Sequence, residues 1–408
     1  VSDKGTGHRK RLYIWNRGTG VRLRLWMVVN VTALSLLCYL VSEAVMHQND
    51  NRVSVSAAAH QNLRTQKVGK STRAPVPVIP TKAELLHPHG IYFGVATPNS
   101  PWSTAELDQV ARQAAARPSM TEYFVKWNQG FNPRAIAVAY QQGTVPVLTW
   151  EPWQSVAPGA KGTPSFDVNQ PKYQLSKIAG GSFDTYITGF AKAVAAAKSP
   201  VVLRFAHEMN GTWYPWSEQV NGNRAGDYVK AWRHVHDLFA KAGATNVIWL
   251  WSPNIIRNLP HVKLTPLYPG DAYVDWIGVV GYGDETTAAS TFDPTLQDLR
   301  RIAHKPILIT ETGAQPAVKA RWTTSFFAWL PKNPDIIGFI WFEKDQSSGG
   351  TADWRFDADP QSLKAFAAGI HADSTGLVAP TNAVAAKPGG TTTALPAPSP
   401  TVRPTASP

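Results

Sequence analysis

The central part of this 408-residue chain is expected to fold as a (β/α)8 barrel in the α/β class. Three observations predict it. Short apolar runs alternate with helical stretches between residues 90 and 370, and such alternation implies a parallel sheet. Eight strand–helix units occupy this stretch, a length typical of the barrel. No Gly-rich phosphate loop follows the first run, which counts against an open dinucleotide-binding sheet.

The first run, Ile91–Thr97, precedes a helix over Thr104–Ala116, which Ser103 and Thr104 open with Glu106 in the first turn. The second, Thr121–Trp127, precedes Pro133–Gln142; the third, Val145–Trp150, precedes Phe183–Ala197. After the fourth run, Val201–His207, a helix over Asp227–Lys241 is stopped by Gly243. The fifth and sixth runs are Val247–Trp251 and Trp276–Tyr282, the latter leading to Thr295–Ala303. Pro306–Thr310 then leads to Ala320–Trp329, and Ile336–Phe342 to Ser362–Ile370.

Charge separates the flanks from this domain. Of the net +12, residues 1–24 carry +6, residues 25–82 carry +4 and the tail from 371 carries +1, so the centre is nearly neutral. Basic flanks with a neutral centre argue against a nucleic-acid partner. Leu25–Val41 (LWMVVNVTALSLLCYLV) is uncharged, with arginines and lysines before it and Glu43 and Asp50 after it. Residues 25–42 are therefore expected to form a transmembrane signal-anchor behind a cytoplasmic basic segment, residues 1–24. The alternative is a secretory signal cut at Ser42-Glu43-Ala44, releasing the protein. Residues 43–84 read as an extracytoplasmic linker, 85–372 as the catalytic domain, and 373–408 as a disordered Pro/Ala/Thr-rich tail. The single cysteine, Cys38, excludes an intramolecular disulfide and a Cys-based zinc cage.

A barrel of this kind gathers its active site at the C-terminal ends of the strands. There the chain carries Glu151, Trp153, His207, Glu208, Trp251, Tyr282, Glu311 and Trp341. Period-two alternation places Arg204, Ala206 and Glu208 on one face of the fourth strand, and Ile307, Ile309 and Glu311 on one face of the seventh. Both glutamates should then point into the mouth. Such a pair suits glycoside cleavage: one carboxylic acid protonates the leaving oxygen, while the other attacks the anomeric carbon or activates water. Both can be Glu because environment sets ionisation. The domain also holds 14 of the 16 tryptophans, which suit stacking on sugar rings. Other chemistries fail on spacing. His207-Glu208 lacks the second histidine of a zinc protease, position 211 being Gly, and no Ser sits in a nucleophile elbow. No metal or cofactor is expected.

The stretches RFAHEMNGTWYPW (204–216), WIGVVGYG (276–283), PILITETG (306–313) and FIWFEKDQSSGGTADWR (339–355) resemble glycoside hydrolase family 26. The resemblance covers about residues 85–370 and implies a retaining endo-β-glycanase. It implies Glu208 as general acid/base, Glu311 as nucleophile, and Tyr282, His207 and Arg204 in support. It further implies Asn210, Trp213, Trp216 and Trp341 around the substrate. Glu151, Trp153 and Trp251 are candidate sugar contacts from their strand-end positions, and Glu343, Asp345 and Asp353 read as rim residues. The runs Trp213-Tyr214-Pro215-Trp216 and Trp150-Glu151-Pro152-Trp153 depart from the mannanase pattern. The substrate is thus left open between β-mannan, mixed-linkage β-1,3-1,4-glucan and the cell's own exported polysaccharide. A monomeric catalytic domain is expected. The competing readings are a carbohydrate-binding pseudoenzyme and a surface scaffold held by its tail.

Overall fold

A computed structural model describes residues 77–154, 167–257, 259, 261–285, 287–372 and 376–381. Eight parallel strands close in chain order into a barrel. They are β1 (Tyr92–Ala96), β2 (Met120–Lys126), β3 (Val145–Glu151), β4 (Val201–Phe205), β5 (Val247–Trp251), β6 (Trp276–Gly283), β7 (Ile307–Ala314) and β8 (Ile336–Phe342). A short helix, α1 (Lys82–Leu86), precedes β1. The helical jacket is α2 (Thr104–Ala114), α3 (Pro133–Gln141), α4 (Leu175–Ala179), α5 (Asp184–Ala197), α6 (Asp227–Lys241), α7 (Ala288–Ile302), α8 (Lys319–Trp329) and α9 (Pro360–Ile370).

Every residue of β1, β3, β4, β5 and β7 is buried. Strands covered on both faces need no polar side, which is why they read as continuous apolar runs. The ring closes where β8 meets β1, with Tyr92 opposite Gly338. A Cβ on Gly338 would lie 2.6 Å from Tyr92 Cβ and 2.7 Å from its carbonyl oxygen, so the seam needs a residue without one.

Several expected boundaries move. β4 stops at Phe205 and not at His207, whereas β7 runs on past Thr310 to Ala314. α7 begins at Ala288, seven residues before the expected start, because Thr287 caps it by accepting from Ser290 N–H. Pro294 lies inside this helix.

The last linker residues and the first tail residues belong to the barrel. Thr81 and Glu84 form a reciprocal capping box for α1. Leu85 is buried, and Lys82 Nζ donates to Val247 O at 2.6 Å and to Asp275 at 2.9 Å. At the other end, Ile91 N–H donates to Gly376 O at 2.8 Å, Val378 N–H to Ile91 O at 3.0 Å and Thr381 N–H to Gly143 O at 2.8 Å. The expected boundaries at 84 and 373 therefore shift outward. The expected transmembrane segment 25–42, the linker before 77 and the tail beyond 381 lie outside the described residues. Among the described residues no helix is long and apolar enough to cross a membrane.

Candidate active site

The fourth strand delivers two groups by different means. Phe205 packs outward on Trp127, Trp150 and Trp232, so its neighbour Arg204 points into the barrel and is fully buried. Beyond Phe205 the pleat ends. Ala206 (φ 46°) and Glu208 (φ 52°) both adopt the left-handed conformation that disfavours a Cβ. Backbone bonds hold this bend, from Ala206 N–H to Trp150 O at 3.1 Å and from Glu208 N–H to Ser252 O at 2.8 Å. Glu208 thus reaches the mouth through a bent loop, and the alternation expected through Ala206 to Glu208 is corrected. Strain of this type costs roughly 1–3 kcal/mol per residue and persists only where the surroundings over-determine it.

The seventh strand also breaks its pleat. Against β6, Ile309 pairs with Val279 and Glu311 with Val280, so Thr310 is an inserted residue. Thr310 Oγ1 shares a 2.7 Å hydrogen bond with Ser252 Oγ. The adjacent Glu311 accepts from Arg204 Nη1 at 2.5 Å and from Tyr282 Oη at 2.8 Å. The bulge lets consecutive residues both make polar contacts within the barrel.

Glu208 and Glu311 meet in one mouth with opposite surroundings. Glu208 accepts from Trp213 Nε1 at 2.6 Å and Asn254 Nδ2 at 2.5 Å, both neutral donors. Burial, followed by the Glu311 charge, raises its pKa to about 7 despite these bonds. Glu311 is bound by a guanidinium and a phenol. Burial and then the Glu311 charge push the Tyr282 phenol well above its ordinary range, which keeps it a proton donor.

Arg204 is shared. Its Nη1 also donates to Glu122 Oε1 at 2.9 Å and to Thr149 Oγ1 at 3.3 Å, and Thr149 donates to the same Glu122 oxygen at 2.5 Å. Burial opposes the Arg204 charge, but Glu311 and Glu122 more than offset this. Burial raises the Glu122 pKa against the pull of Arg204. Glu122, Thr149 and Asn254 were not among the sequence candidates. The one available signal for Glu122 was an acid amid the apolar residues of β2.

Other candidates sit elsewhere than expected. His207 is buried beneath Tyr214 and Trp216, and burial then Arg204 hold it well below the usual histidine range, hence neutral. Asn210, expected at the substrate, is fully buried. Its Nδ2 donates to Asn254 O and its Oδ1 accepts from Asn254 N–H, both at 2.8 Å, so it braces the loop carrying Asn254. Trp216, Trp251 and Trp341, expected as sugar contacts, are fully buried and offer no ring face. Trp216 stacks on Tyr214 and donates to His207 O at 2.6 Å. Trp251 packs on Tyr268. Trp341 faces the jacket, against Trp322 and Phe366.

Trp213 alone among the expected tryptophans is half-exposed, and Gly211 makes room for it: a Cβ there would lie 2.5 Å from the indole. Trp153, expected as a sugar contact, is buried against Tyr214 and Trp216 with Lys126 Nζ 4.7 Å from its ring, and Glu151 is buried as well. Burial raises the Glu151 pKa to about 7, against Lys126 and the Trp153 indole. Glu343, expected at the rim, is buried and accepts from Phe356 N–H at 3.1 Å. Asp345 caps a short turn and Asp353 pairs with Arg355. Among the described residues no cluster of three or more His, Cys, Asp or Glu is placed to hold a metal.

Residues 158–328 match the model of glycosyl hydrolase family 26. The chain is 32% identical over 271 residues to endoglucanase H of Acetivibrio thermocellus, covering 62% of this chain and 27% of that protein. It is 30% identical over 181 residues to a mannan endo-1,4-beta-mannosidase of Bacillus subtilis (strain 168), covering 43% of this chain and 45% of the relative. The chain thus spans less than half the length of these curated relatives. A GH26 beta-mannanase structure from Bacteroides ovatus shares the fold with a TM-score of 0.53 at 21% identity, covering 74% of this chain and 93% of the other. The matched stretch runs from before β4 into α8, so the similarity to glycosyl hydrolase family 26 takes in both Glu208 and Glu311.

Proposed function

We propose that the barrel is a retaining endo-β-glycanase acting on a β-1,4-linked polysaccharide, either β-mannan or mixed-linkage β-1,3-1,4-glucan. One observation carries this reading: two buried carboxyl groups face one mouth, one held by neutral donors and the other by a cation and a phenol. Such opposed environments separate an acid from a nucleophile. Relatives named endoglucanase and mannan endo-1,4-beta-mannosidase support the substrate class.

Glu208 gives its proton to the glycosidic oxygen as the bond to the anomeric carbon breaks, and the Glu311 carboxylate attacks that carbon from the opposite face. Tyr282 and Arg204 hold Glu311 in line. The aglycone leaves as an alcohol. Glu208, now ionised, takes a proton from water, whose oxygen displaces Glu311 and restores the starting configuration. Retention requires the two carboxyl groups to lie about 5–5.5 Å apart.

Glu208→Gln and Glu311→Gln should each lower turnover by about 10²–10⁴-fold or more. Azide separates the roles. With a substrate whose leaving group needs no proton, it should rescue Glu208→Ala to a β-glycosyl azide and Glu311→Ala to an α-glycosyl azide. Near-normal rates in both Gln variants would sink the assignment. The uncharged run within residues 25–42, with basic residues before it, supports a signal-anchor carrying the barrel outside the membrane. Protease treatment of intact cells should then remove the barrel, and resistance to it would reverse the topology.

A further inference from the structure

The mouth carries two cations with no part in the mechanism above. Lys126 ends β2 with its ammonium group 4.7 Å from the Trp153 ring. Lys344, two residues beyond β8, lies 4.9 Å from the Phe124 ring and 5.0 Å from that of Phe342. Phe124 and Lys126 alternate onto the same face of β2, about 7 Å apart. Both ammonium groups lie within electrostatic reach of the same carboxyl group, Glu151. Both side chains are half-buried. Among the described residues neither is within ion-pair reach of a carboxylate, whereas Lys82, Arg117, Arg300, Arg301 and Arg355 each meet one at 2.6–2.9 Å.

An ammonium group on an aromatic surface keeps its charge with part of its hydration removed, and an anion that completes its coordination recovers that loss. Burial lowers the Lys344 pKa, although Glu311, Glu122, Glu151 and Glu106 all favour its charged form. Arg204 is already taken up by Glu122 and Glu311, which leaves Lys126 and Lys344 as the cations of the mouth with no carboxylate at ion-pair distance among the described residues. A neutral glycan makes use of neither charge.

We propose that Lys126 and Lys344 together bind a carboxylate borne on a sugar ring, making this barrel selective for acidic β-glycans over neutral ones. The inference rests on the glycanase reading and names its substrate class. It also predicts salt-sensitive binding, because attraction between partly exposed charges is screened.

The test uses the full chain and two backbones, β-1,4-mannan and mixed-linkage β-1,3-1,4-glucan. Each is supplied untreated, with part of its C6 alcohols oxidised to carboxylates, and with those carboxylates methyl-esterified. Two readouts are compared: kcat/KM of the wild type, and retardation of the Glu311→Gln chain in gels containing each polymer. The carboxylate form of at least one backbone should exceed its ester by about 10- to 100-fold, the range of one charge-assisted hydrogen bond. Lys126→Met and Lys344→Met should each reduce that ratio, and Lys344→Arg should retain it. Equal behaviour of acid and ester in both readouts, or a ratio unchanged in Lys126→Met/Lys344→Met, overturns the proposal. Carboxylate-dependent retardation without hydrolysis of any polymer supports the site and refutes the glycanase reading instead.

Discussion

Asn254 Nδ2 and Trp213 Nε1 both donate to Glu208, and each bond favours the ionised carboxyl group. Removing one therefore raises the pKa of Glu208 further. In the proposed mechanism Glu208 acts in its protonated form, so kcat/KM falls as pH rises through that pKa. Asn254→Ala should move the alkaline limb of the profile to higher pH, read from kcat/KM between pH 5 and about 9; an unmoved limb would mean that this bond does not tune the acid. The tryptophans divide in the same manner. Trp216→Ala, which empties a fully buried site, should cost about 3–5 kcal/mol in denaturant unfolding. Trp213→Ala should spare most of that stability and lose activity. Both tryptophans lie in one sequence motif, and nothing in their spacing says which ring is enclosed. Glu122 was illegible for a related reason: its partner Arg204 lies 82 residues away, and no local pattern joins them.

At the scale of elements, the strands were legible because burial on both faces leaves apolar runs whose ends carry the polar residues. The aiming of Glu208 and Glu311 was not. Simple alternation put both in the mouth, yet a left-handed bend after β4 and an inserted Thr310 in β7 are what deliver them. Backbone departures of this kind depend on bonds to other strands, such as Ser252 O to Glu208 N–H and Ser252 Oγ to Thr310 Oγ1. The β1–β8 seam gives an element-scale prediction. Gly338→Ala drives a methyl group to 2.6 Å from Tyr92 Cβ, so the strands must part. The melting temperature should drop by several degrees, on the order of 1–3 kcal/mol of overpacking. An unchanged melt would show that the seam is slack.

Over the whole molecule, the buried acids tie stability to pH. Glu151 has its pKa raised from 4.5 to about 7 in the folded chain. Below pH 4.5 it is protonated folded or unfolded. Between pH 4.5 and about 7 the unfolded form ionises first, so this group's contribution to stability is lost as pH rises. Glu151→Gln should narrow the fall in melting temperature across that interval relative to the wild type, and parallel curves would exclude Glu151 as a cause.

The strap of residues 376–381 binds beside the start of β1 and next to β3, while α1 grips the starts of β5 and β6. Both flanks of the described barrel are therefore fastened at its floor, opposite the mouth. A pull on either flank would therefore load the floor of the barrel and leave the rim that carries Glu208 and Glu311 unobstructed.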